Sequence, residues 1–284
     1  MASPPVLTTT GTTGFNRQSW QDTVEAATYQ KIMFADTIDE YPGKLLNLGN
    51  VRKYARAAAS TLAQGDDGDG LTPVNIAGTP ITVTPVGRFI QVEWSANEEA
   101  QIDFDLKNGG GNEIERGLAE AVDAAALANV ASGTNIISAA AITATEWRQA
   151  VGRLGQNTNG MFAPGDGQIK GIFSFTQYPA IMAIDEFNHA DVRGDGENPT
   201  VKGIFTKGGG INVRFSSVIF QDGNGWHNCV YVPSAFVIAW NQRTKSFFEQ
   251  TELLFRMNVF NNHGSNVKHD ARFVAVRTTA SQLG

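Results

Sequence analysis

The chain has 284 residues, of which 42% are hydrophobic and 18% are charged, and this composition supports a folded core and excludes wholesale disorder. The 28 acidic residues outnumber the 22 basic ones, and the formal charge of −6 excludes a strongly basic surface for gripping nucleic acid. The single cysteine, Cys229, excludes an internal disulfide and any zinc or iron–sulfur site built from several cysteines.

The N-terminal third contains a polar arm and two ambiguous segments. Residues 1–16 are rich in proline, threonine and glycine and predict an extended arm. Residues 18–37 have apolar side chains near one helical face and predict a helix. Residues 51–63 are rich in alanine, which favours a helix, although the stretch also fits a strand. The sequence GDDGDG at 65–70 predicts a turn.

An alternating segment follows this turn. The stretch PVGRFIQVEW places Ile90, Val92 and Trp94 on one face of a strand and Gln91 and Glu93 on the other. No apolar run approaches 18 residues, so we expect no membrane-spanning segment.

Two helices are predicted in the middle of the chain. The clearer one covers 112–132, with Asn112 as its cap and Gly133 as its stop. The second covers 143–154, with Thr143 as its cap and a glutamate three residues later to complete a capping box.

From residue 168 onward, short apolar segments alternate with turns, and the class is therefore α+β. We predict a strand at 168–175, a short helix within 178–187, two strands around a glycine turn at 201–220, a strand pair at 228–241, and two long strands at 247–262 and 271–279 joined by a loop.

No motif in the sequence carries recognisable chemistry. The GDDGDG turn lacks the later ligands of a calcium-binding loop. The glycine runs at 109–111 and 208–210 lack the residues of a phosphate-binding loop, so flexible joints are the simpler interpretation. His227 and Cys229 form one pair of possible metal ligands without a second. We therefore predict no catalytic residue, no cofactor and no metal site.

The segment from 48 to 97 is interpreted as one long hairpin that bends at GDDGDG. A two-stranded ribbon is marginally stable alone in water. Its apolar face, formed by Ile81, Val83, Ile90 and Val92, is therefore expected to be covered by a neighbouring copy of the chain. We therefore predict that this hairpin is an arm through which copies of the chain assemble.

The order of these segments resembles the major capsid proteins of tailed bacteriophages, the Johnson fold. The stretch ARAAASTLAQGDDGDGLTPVNIAGTPITVTPVG looks like the extended loop of that family, and EIERGLAEAVDAAALANVASG, which includes Asp123, looks like its spine helix. GIFTKGGGINVRFSSVI and SAFVIAW resemble segments that follow in the apical region. The resemblance covers residues 20 to 278, and it depends on the order and spacing of motifs that are individually weak.

The resemblance implies a division of the chain into four parts. Residues 1–45 would be the N-terminal arm, and 46–107 the extended β-hairpin loop. A peripheral domain with the long spine helix would combine 108–150 with 245–284, and 151–244 would form the apical α/β domain.

The resemblance also implies a function and a set of partners. The chain would form the pentamers and hexamers of an icosahedral head around double-stranded DNA, with no enzymatic activity. We expect a virion protein that assembles in the host cytoplasm, contacts the packaged DNA weakly, and works with separate scaffolding and portal proteins, without a membrane. The resemblance leaves the use of cement proteins open.

One departure from the family affects how the shell would be held together. Some members cross-link a loop lysine to an asparagine of the peripheral domain, but no lysine lies between residues 54 and 106 here. Arg88 cannot replace an amine nucleophile. A non-covalent shell is therefore expected, with Arg88 and Glu98 or Glu99 as possible intersubunit ion pairs. The predicted assembly contacts are Ile81, Val83, Arg88, Ile90, Val92, Trp94, Glu98 and Glu99.

Two other interpretations stay open on the sequence alone. An encapsulin-like compartment has the same fold and holds cargo enzymes in place of a genome. A globular enzyme or glycan-binding module with a fortuitous ribbon would instead be a monomer or a small oligomer.

Overall fold

The computed structural model describes residues 32–40, 52–57, 78–95, 106–162, 167–188, 211–250 and 254–281. These residues belong to two compact units. The smaller unit contains 87–95, 106–119, 242–250 and 254–261, and the larger unit contains the other described residues.

The described residues form a mixed α+β structure, as predicted. The strands are β1 (Asp39–Glu40), β2 (Arg52–Ala57), β3 (Gly78–Val83), β4 (Val86–Ser95), β5 (Ile136–Ala139), β6 (Lys170–Ser174), β7 (Asn212–Ser216), β8 (Gln221–Asp222), β9 (Gly225–Tyr231), β10 (Phe236–Gln250), β11 (Leu254–Val267) and β12 (Phe273–Thr278). The α-helices are α1 (Leu106–Leu127), α2 (Ala144–Asn157), α3 (Tyr178–Met182) and α4 (Asp185–Asn188). Short 3-10 turns cover Ala35–Thr37, Ala128–Ser132, Phe175–Gln177, Pro233–Ala235 and Asp270–Arg272.

The larger unit is built around a six-stranded sheet with the order β5-β12-β9-β6-β7, and β8 pairs with β9. Strand β12 is parallel to β5 and antiparallel to β9. Strand β6 is antiparallel to β9 and parallel to β7. Nearly every residue of β6, β9 and β12 is buried, which is the pattern of central strands covered on both faces.

Helix α2 packs on this sheet through Trp147, Ala150 and Leu154, which belong to the same buried cluster as Phe173 and Val274. Its predicted capping box is confirmed. The backbone N–H of Thr143 donates to Glu146 Oε2 at 3.0 Å, and the Thr143 side chain accepts from the first turn of the helix, which satisfies N–H groups that have no partner within the helix.

A second sheet has the strand order β1-β10-β11-β4, and β2 and β3 form a separate two-stranded ribbon. Strands β2 and β3 are antiparallel over six residue pairs, from Arg52↔Val83 to Ala57↔Gly78. This confirms a hairpin across the GDDGDG segment and shows that residues 52–57 are a strand; residues 58–77 lie outside the described residues. Strand β4 pairs in the other sheet, so the described ribbon is shorter than the predicted limbs.

Helix α1 confirms the long helix in the middle of the chain but corrects its bounds. The helix begins at Leu106, six residues before the predicted cap Asn112, and the α-helical part ends at Leu127 before a 3-10 turn. The glycine run 109–111 therefore lies inside a helix, and the prediction that it is a joint between elements is wrong.

Four further predictions need correction. The predicted strand 247–262 is not one strand over its described part, because residues 247–250 belong to β10 and residues 254–262 belong to β11. The predicted helix 18–37 is not continuous over its described part, since only Ala35–Thr37 forms a 3-10 turn; its residues 18–31 lie outside the described residues. The two strands predicted within 228–241 exist, but β9 and β10 belong to different sheets. The predicted loop 262–270 is wrong over its first six residues, because β11 continues to Val267.

Several other predicted elements are present in the larger unit. The strand at 168–175 is confirmed as β6, and the helix within 178–187 is present as α3 and α4. Of the two strands predicted around a glycine turn, the second is confirmed as β7, and residues 201–210 lie outside the described residues.

Candidate assembly surface

Strand β4 places its predicted apolar face inside the smaller unit. Ile90 and Val92 are half-buried and pack, together with Phe255, against a small core that belongs to the same chain. That core consists of Ile114, Leu118, Met257 and Val259. The prediction that Ile90 and Val92 share a face is confirmed. Residues of helix α1 and strand β11 in the same chain cover much of this face, which we expected a neighbouring copy to cover.

Strand β3 buries its apolar residues in a similar way within the larger unit. Val83 is fully buried and packs with Val237 and Ala239, whereas Ile81 is half-buried. The Asn266 side chain donates to the carbonyl oxygen of Thr82 at 2.6 Å and ties this strand to β11. The premise that this face lacks cover within its own chain is therefore wrong for Val83.

The other predicted contacts are only partly described. Arg88 lies on β4 and is half-buried; its Nε atom is buried and has no hydrogen-bond partner within the described part of the chain. Trp94 is on β4, but the structure does not describe its side chain. Glu98 and Glu99 lie outside the described residues. The contacts of all these residues with another copy stay a prediction.

The exposed apolar residues of β4 are ones that the sequence did not single out. The exposed fraction is 67% for Phe89, in the smaller unit, and 54% for Val86, in the larger unit. Phe89 shares its side of the strand with Gln91 and Glu93, because side chains alternate along a strand. A large aromatic ring on the polar side is the signal that could have identified this residue.

Neighbouring strands extend this side of the smaller unit. Arg256 of β11 forms an ion pair with Glu93 of β4 at 2.9 Å and lies 3.7 Å from Glu249 of β10. Phe247 and Phe260 stack with their rings 5.6 Å apart and 7° from parallel. The alternate residues of these strands, including Met257 and Val259, point to the core. We call the surface formed by Phe89, Glu93, Phe247, Glu249, Arg256 and Phe260 the outer face.

The outer face contains exposed aromatic side chains and charged side chains that form solvent-exposed ion pairs. Phe247 is 46% exposed. The ion pairs of Arg256 join side chains that are at least 40% exposed, so each contributes under about 1 kcal/mol to the stability of the isolated chain. Exposed aromatic rings among paired charges are typical of surfaces that bind another protein.

Two possible ligand residues singled out in the sequence, His227 and Cys229, are buried in strand β9. His227 Nε2 lies 3.0 Å from Asp222 Oδ1, and this hydrogen bond lowers the pKa of Asp222 to about 2. Burial raises the pKa of the Cys229 thiol well above its usual value, which suits an inert side chain. Among the residues that the structure describes, no group of three or more His, Cys, Asp and Glu side chains could hold a metal ion.

Comparison with solved structures identifies the fold. The chain matches the capsid structure of the cyanophage P-SCSP1u with a TM-score of 0.67 and 15% identity, over 88% of this chain and 89% of that one. It matches Mycobacterium phage Che8 with a TM-score of 0.65 and 15% identity, over 86% and 90% of the two chains. The chain has the phage capsid fold.

The phage capsid fold predicted from the sequence is thereby confirmed, and it recurs in a further structure. The mature capsid of bacteriophage PhiM1 matches with a TM-score of 0.64 and 12% identity, over 87% of each chain. No protein-family model and no curated protein sequence matches the chain. In the part of the chain that the structure describes, no helix is long and apolar enough to cross a membrane.

Proposed function

We propose that this chain is the major capsid protein of a tailed phage and assembles without enzymatic activity into the pentamers and hexamers of an icosahedral head around double-stranded DNA. The observation that carries the proposal is the match to phage capsid structures over nearly the whole length of both chains. Fold alone does not fix function, so the exposed outer face provides the second argument.

The outer face is assigned to contacts between copies. Burying Phe89 and Phe247 against another subunit would remove exposed aromatic area from water, which is the main favourable term in protein association. Arg88 lies on the opposite side of β4 from Phe89, and we assign it a separate contact in which its cation pairs with Glu98 or Glu99 of a neighbouring copy. Many modest contacts of this kind add up once a ring of subunits closes.

The proposed organisation follows the four-part division. Residues 1–45 act as the arm, 46–107 as the extended loop, 108–150 with 245–284 as the peripheral domain, and 151–244 as the apical domain. Scaffolding, portal and cement functions are assigned to separate proteins. The formal charge of −6 fits a wall that repels DNA and lets it slide, since strong DNA binding requires many basic contacts.

A protein compartment is the second candidate function. A virus-like particle from Pyrococcus furiosus matches with a TM-score of 0.54 and 11% identity, over 92% of this chain and 98% of that one. Particles isolated from the natural host would separate the two functions, because a phage head protects double-stranded DNA from nuclease whereas a compartment encloses protein.

The assembly proposal is tested on purified protein by sedimentation and negative-stain electron microscopy. The unmodified chain should form closed particles. Phe89→Asp should lower the particle yield by about tenfold or more, because a buried aromatic contact commonly contributes about 2 kcal/mol and every subunit repeats the loss. Circular dichroism and thermal unfolding of the soluble variant should match the unmodified chain, since Phe89 is exposed.

Gln91→Asp is the matched control. It adds the same charge two residues further along β4, on the same exposed side, and should leave particles intact if the aromatic ring is the contact. Normal particles from Phe89→Asp would overturn the assignment of the outer face. A chain that stays monomeric under all assembly conditions would overturn the shell function itself.

A further inference from the structure

Three aromatic side chains form an exposed cluster on the larger unit, which we call the aromatic platform. Phe175 is 48% exposed and Tyr178 is 39% exposed. Their ring centroids lie 5.9 and 5.1 Å from that of Phe215. Folded proteins bury most of their large aromatic rings, and a cluster of rings that stays exposed is typical of a surface that binds another molecule.

The aromatic platform lies at one end of the six-stranded sheet. Phe175 directly follows β6, and Phe215 is next to the last residue of β7, which is parallel to β6. The fully buried Gln177 accepts a hydrogen bond from the backbone N–H of Ile142 at 3.2 Å and donates one to the carbonyl oxygen of Ala280 at 2.7 Å. Ile142 precedes α2, and Ala280 follows β12. We call this end, where β6 and β12 finish and α2 begins, the finish end.

Another exposed apolar side chain, that of Met161, lies at the opposite end of the sheet. Strands β6 and β12 run in the same direction, because both are antiparallel to β9. Met161 is 67% exposed and comes four residues after the last residue of α2. The guanidinium carbon of Arg272, which directly precedes β12, lies 5.6 Å from the ring centroid of the next residue, Phe162. We call this end, where β6 and β12 begin and α2 finishes, the start end.

The turn after α2 fixes the position of Met161. The backbone N–H of Gly160 donates to the carbonyl oxygen of Gly155 at 2.8 Å, and that of Met161 donates to the carbonyl oxygen of Thr158 at 3.1 Å. Helix α2 contains 14 residues and is therefore about 21 Å long. Because this helix runs from one end of the sheet to the other, Met161 and the aromatic platform of one copy cannot contact each other.

The side chains at the two ends complement each other chemically. A methionine thioether and a guanidinium group both pack favourably on aromatic rings. The start end has both, because the exposed Arg153 donates to the carbonyl oxygen of Ile136 at 2.9 Å, and Ile136 is the first residue of β5, which is parallel to β12. A partner protein of another kind would account for one of these two surfaces, whereas a second copy of this chain accounts for both.

We infer, on the basis of the proposed self-assembly, that copies of the chain dock head to tail. The finish end of one copy contacts the start end of the next, with Met161 and Arg153 packed against the aromatic platform. A contact between two different surfaces of identical chains repeats with the same rotation from copy to copy, and it forms a ring when that rotation closes. Pentamers and hexamers are rings of this kind. The outer face belongs to the smaller unit, so the head-to-tail contact is separate from it.

Cross-linking of engineered cysteines in the whole 284-residue chain tests the head-to-tail contact. The native cysteine, Cys229, is buried and contributes little background. The double variant Met161→Cys/Phe175→Cys, treated with a short bismaleimide under assembly conditions, should give at least about tenfold more multimers on a denaturing gel than either single variant, because docked copies hold the two thiols at a high effective concentration. The matched control is Gln149→Cys/Phe175→Cys, which has its second thiol at an exposed position of α2 away from the start end and should remain monomeric on the gel.

The pattern of products separates the outcomes. Multimers from Phe175→Cys alone would mean that like surfaces meet, and would overturn the head-to-tail contact. Shells that form normally, while the double variant gives no more multimers than its control, would also overturn it and leave the shell function standing. A chain that remains monomeric under all assembly conditions would overturn both.

A second measurement keeps Met161 and follows its oxidation to the sulfoxide by hydrogen peroxide. In assemblies of the unmodified chain, Met161 should oxidise about tenfold or more slowly than in Phe175→Asp, because oxidation follows exposure and this substitution removes the cover that a neighbouring copy provides. Gln149→Asp adds the same charge away from the aromatic platform and should leave Met161 protected. Peptide mass spectrometry measures the oxidised fraction, and thermal unfolding checks that both variants are folded. Equal oxidation of Met161 in the unmodified chain and in Phe175→Asp would contradict docking at the start end.

Discussion

Gly225 shows how one residue can be fixed by its backbone and its surroundings together. Its φ of +110° lies in a region that side chains rarely adopt, and a Cβ atom there would lie 2.2 Å from the carbonyl oxygen of Thr278. Trp226, the next residue, pairs with Thr278 across β9 and β12. The close approach of these strands therefore requires glycine.

Gly225→Ala should lower the free energy of unfolding by more than about 1 kcal/mol, because both the conformation and the space exclude a methyl group. Urea denaturation followed by tryptophan fluorescence measures the loss. Gly223→Ala lies in the same β8–β9 turn, where a Cβ atom would meet nothing within 4 Å, and should change stability by less than about 0.5 kcal/mol. Equal effects from the two substitutions would contradict this explanation.

Alternation along β4 predicted which residues share a face, but not what covers them. Ile90 and Val92 were correctly grouped, yet their cover comes from α1 and β11, which lie far away in the sequence. Phe89 was grouped with polar residues and passed over, although it is the most exposed of the large apolar residues on this strand. Sequence periodicity gives the two sides of a strand, and only tertiary packing decides which side remains exposed.

At the scale of whole elements, the end of β11 shows why a local signal can fail. The letters NHGSNV are typical of a turn, but Asn262 and His263 are buried in a strand. Gly264 is needed there because a Cβ atom would lie 2.5 Å from the carbonyl oxygen of Thr84. Glycine at this position lets the backbone of β11 approach the backbone at Thr84 closely. This contact joins residues far apart in the sequence, so a local pattern cannot predict it.

Helix α2 is the opposite case, because its start was read correctly from four residues. Thr143→Ala should lower the free energy of unfolding by about 0.5–2 kcal/mol, since the substitution removes the side-chain acceptor of the capping box. Thermal and urea unfolding measure this change. Thr145→Ala, an exposed threonine in the first turn of the same helix, is the control and should be neutral or slightly stabilising by helix propensity. A Thr143→Ala protein as stable as the control would contradict a role for the cap.

For the molecule as a whole, the order of elements was more informative than any one of them. The hairpin β2–β3, the long helix α1 and the α/β unit that follows were each weak signals, but their sequence along the chain predicted the fold that the structure confirms. The bounds of α1 and β11 could not be predicted, because glycines inside the helix and asparagines inside the strand run against local propensity.

Shells formed by this chain should separate completely into single chains under denaturing conditions. The body of the proposed loop, residues 54–106, contains no lysine whose amine could form a cross-link, and the lysines of the loop, Lys53 and Lys107, lie near its two ends. A denaturing gel of boiled particles should therefore show one band at the mass of the monomer. A ladder of bands at multiples of that mass, persisting after reduction, would contradict a non-covalent shell.

The position of β12 has a consequence for synthesis of the protein. This strand, Phe273–Thr278, lies between β5 and β9 in the six-stranded sheet, although its residues leave the ribosome long after those of its two neighbours. A nascent chain that stops before residue 273 has a gap in the middle of that sheet and cannot close its core. Prematurely terminated products are thus unable to reach the native state, and translation must pass this strand before a copy of the chain becomes competent to join others.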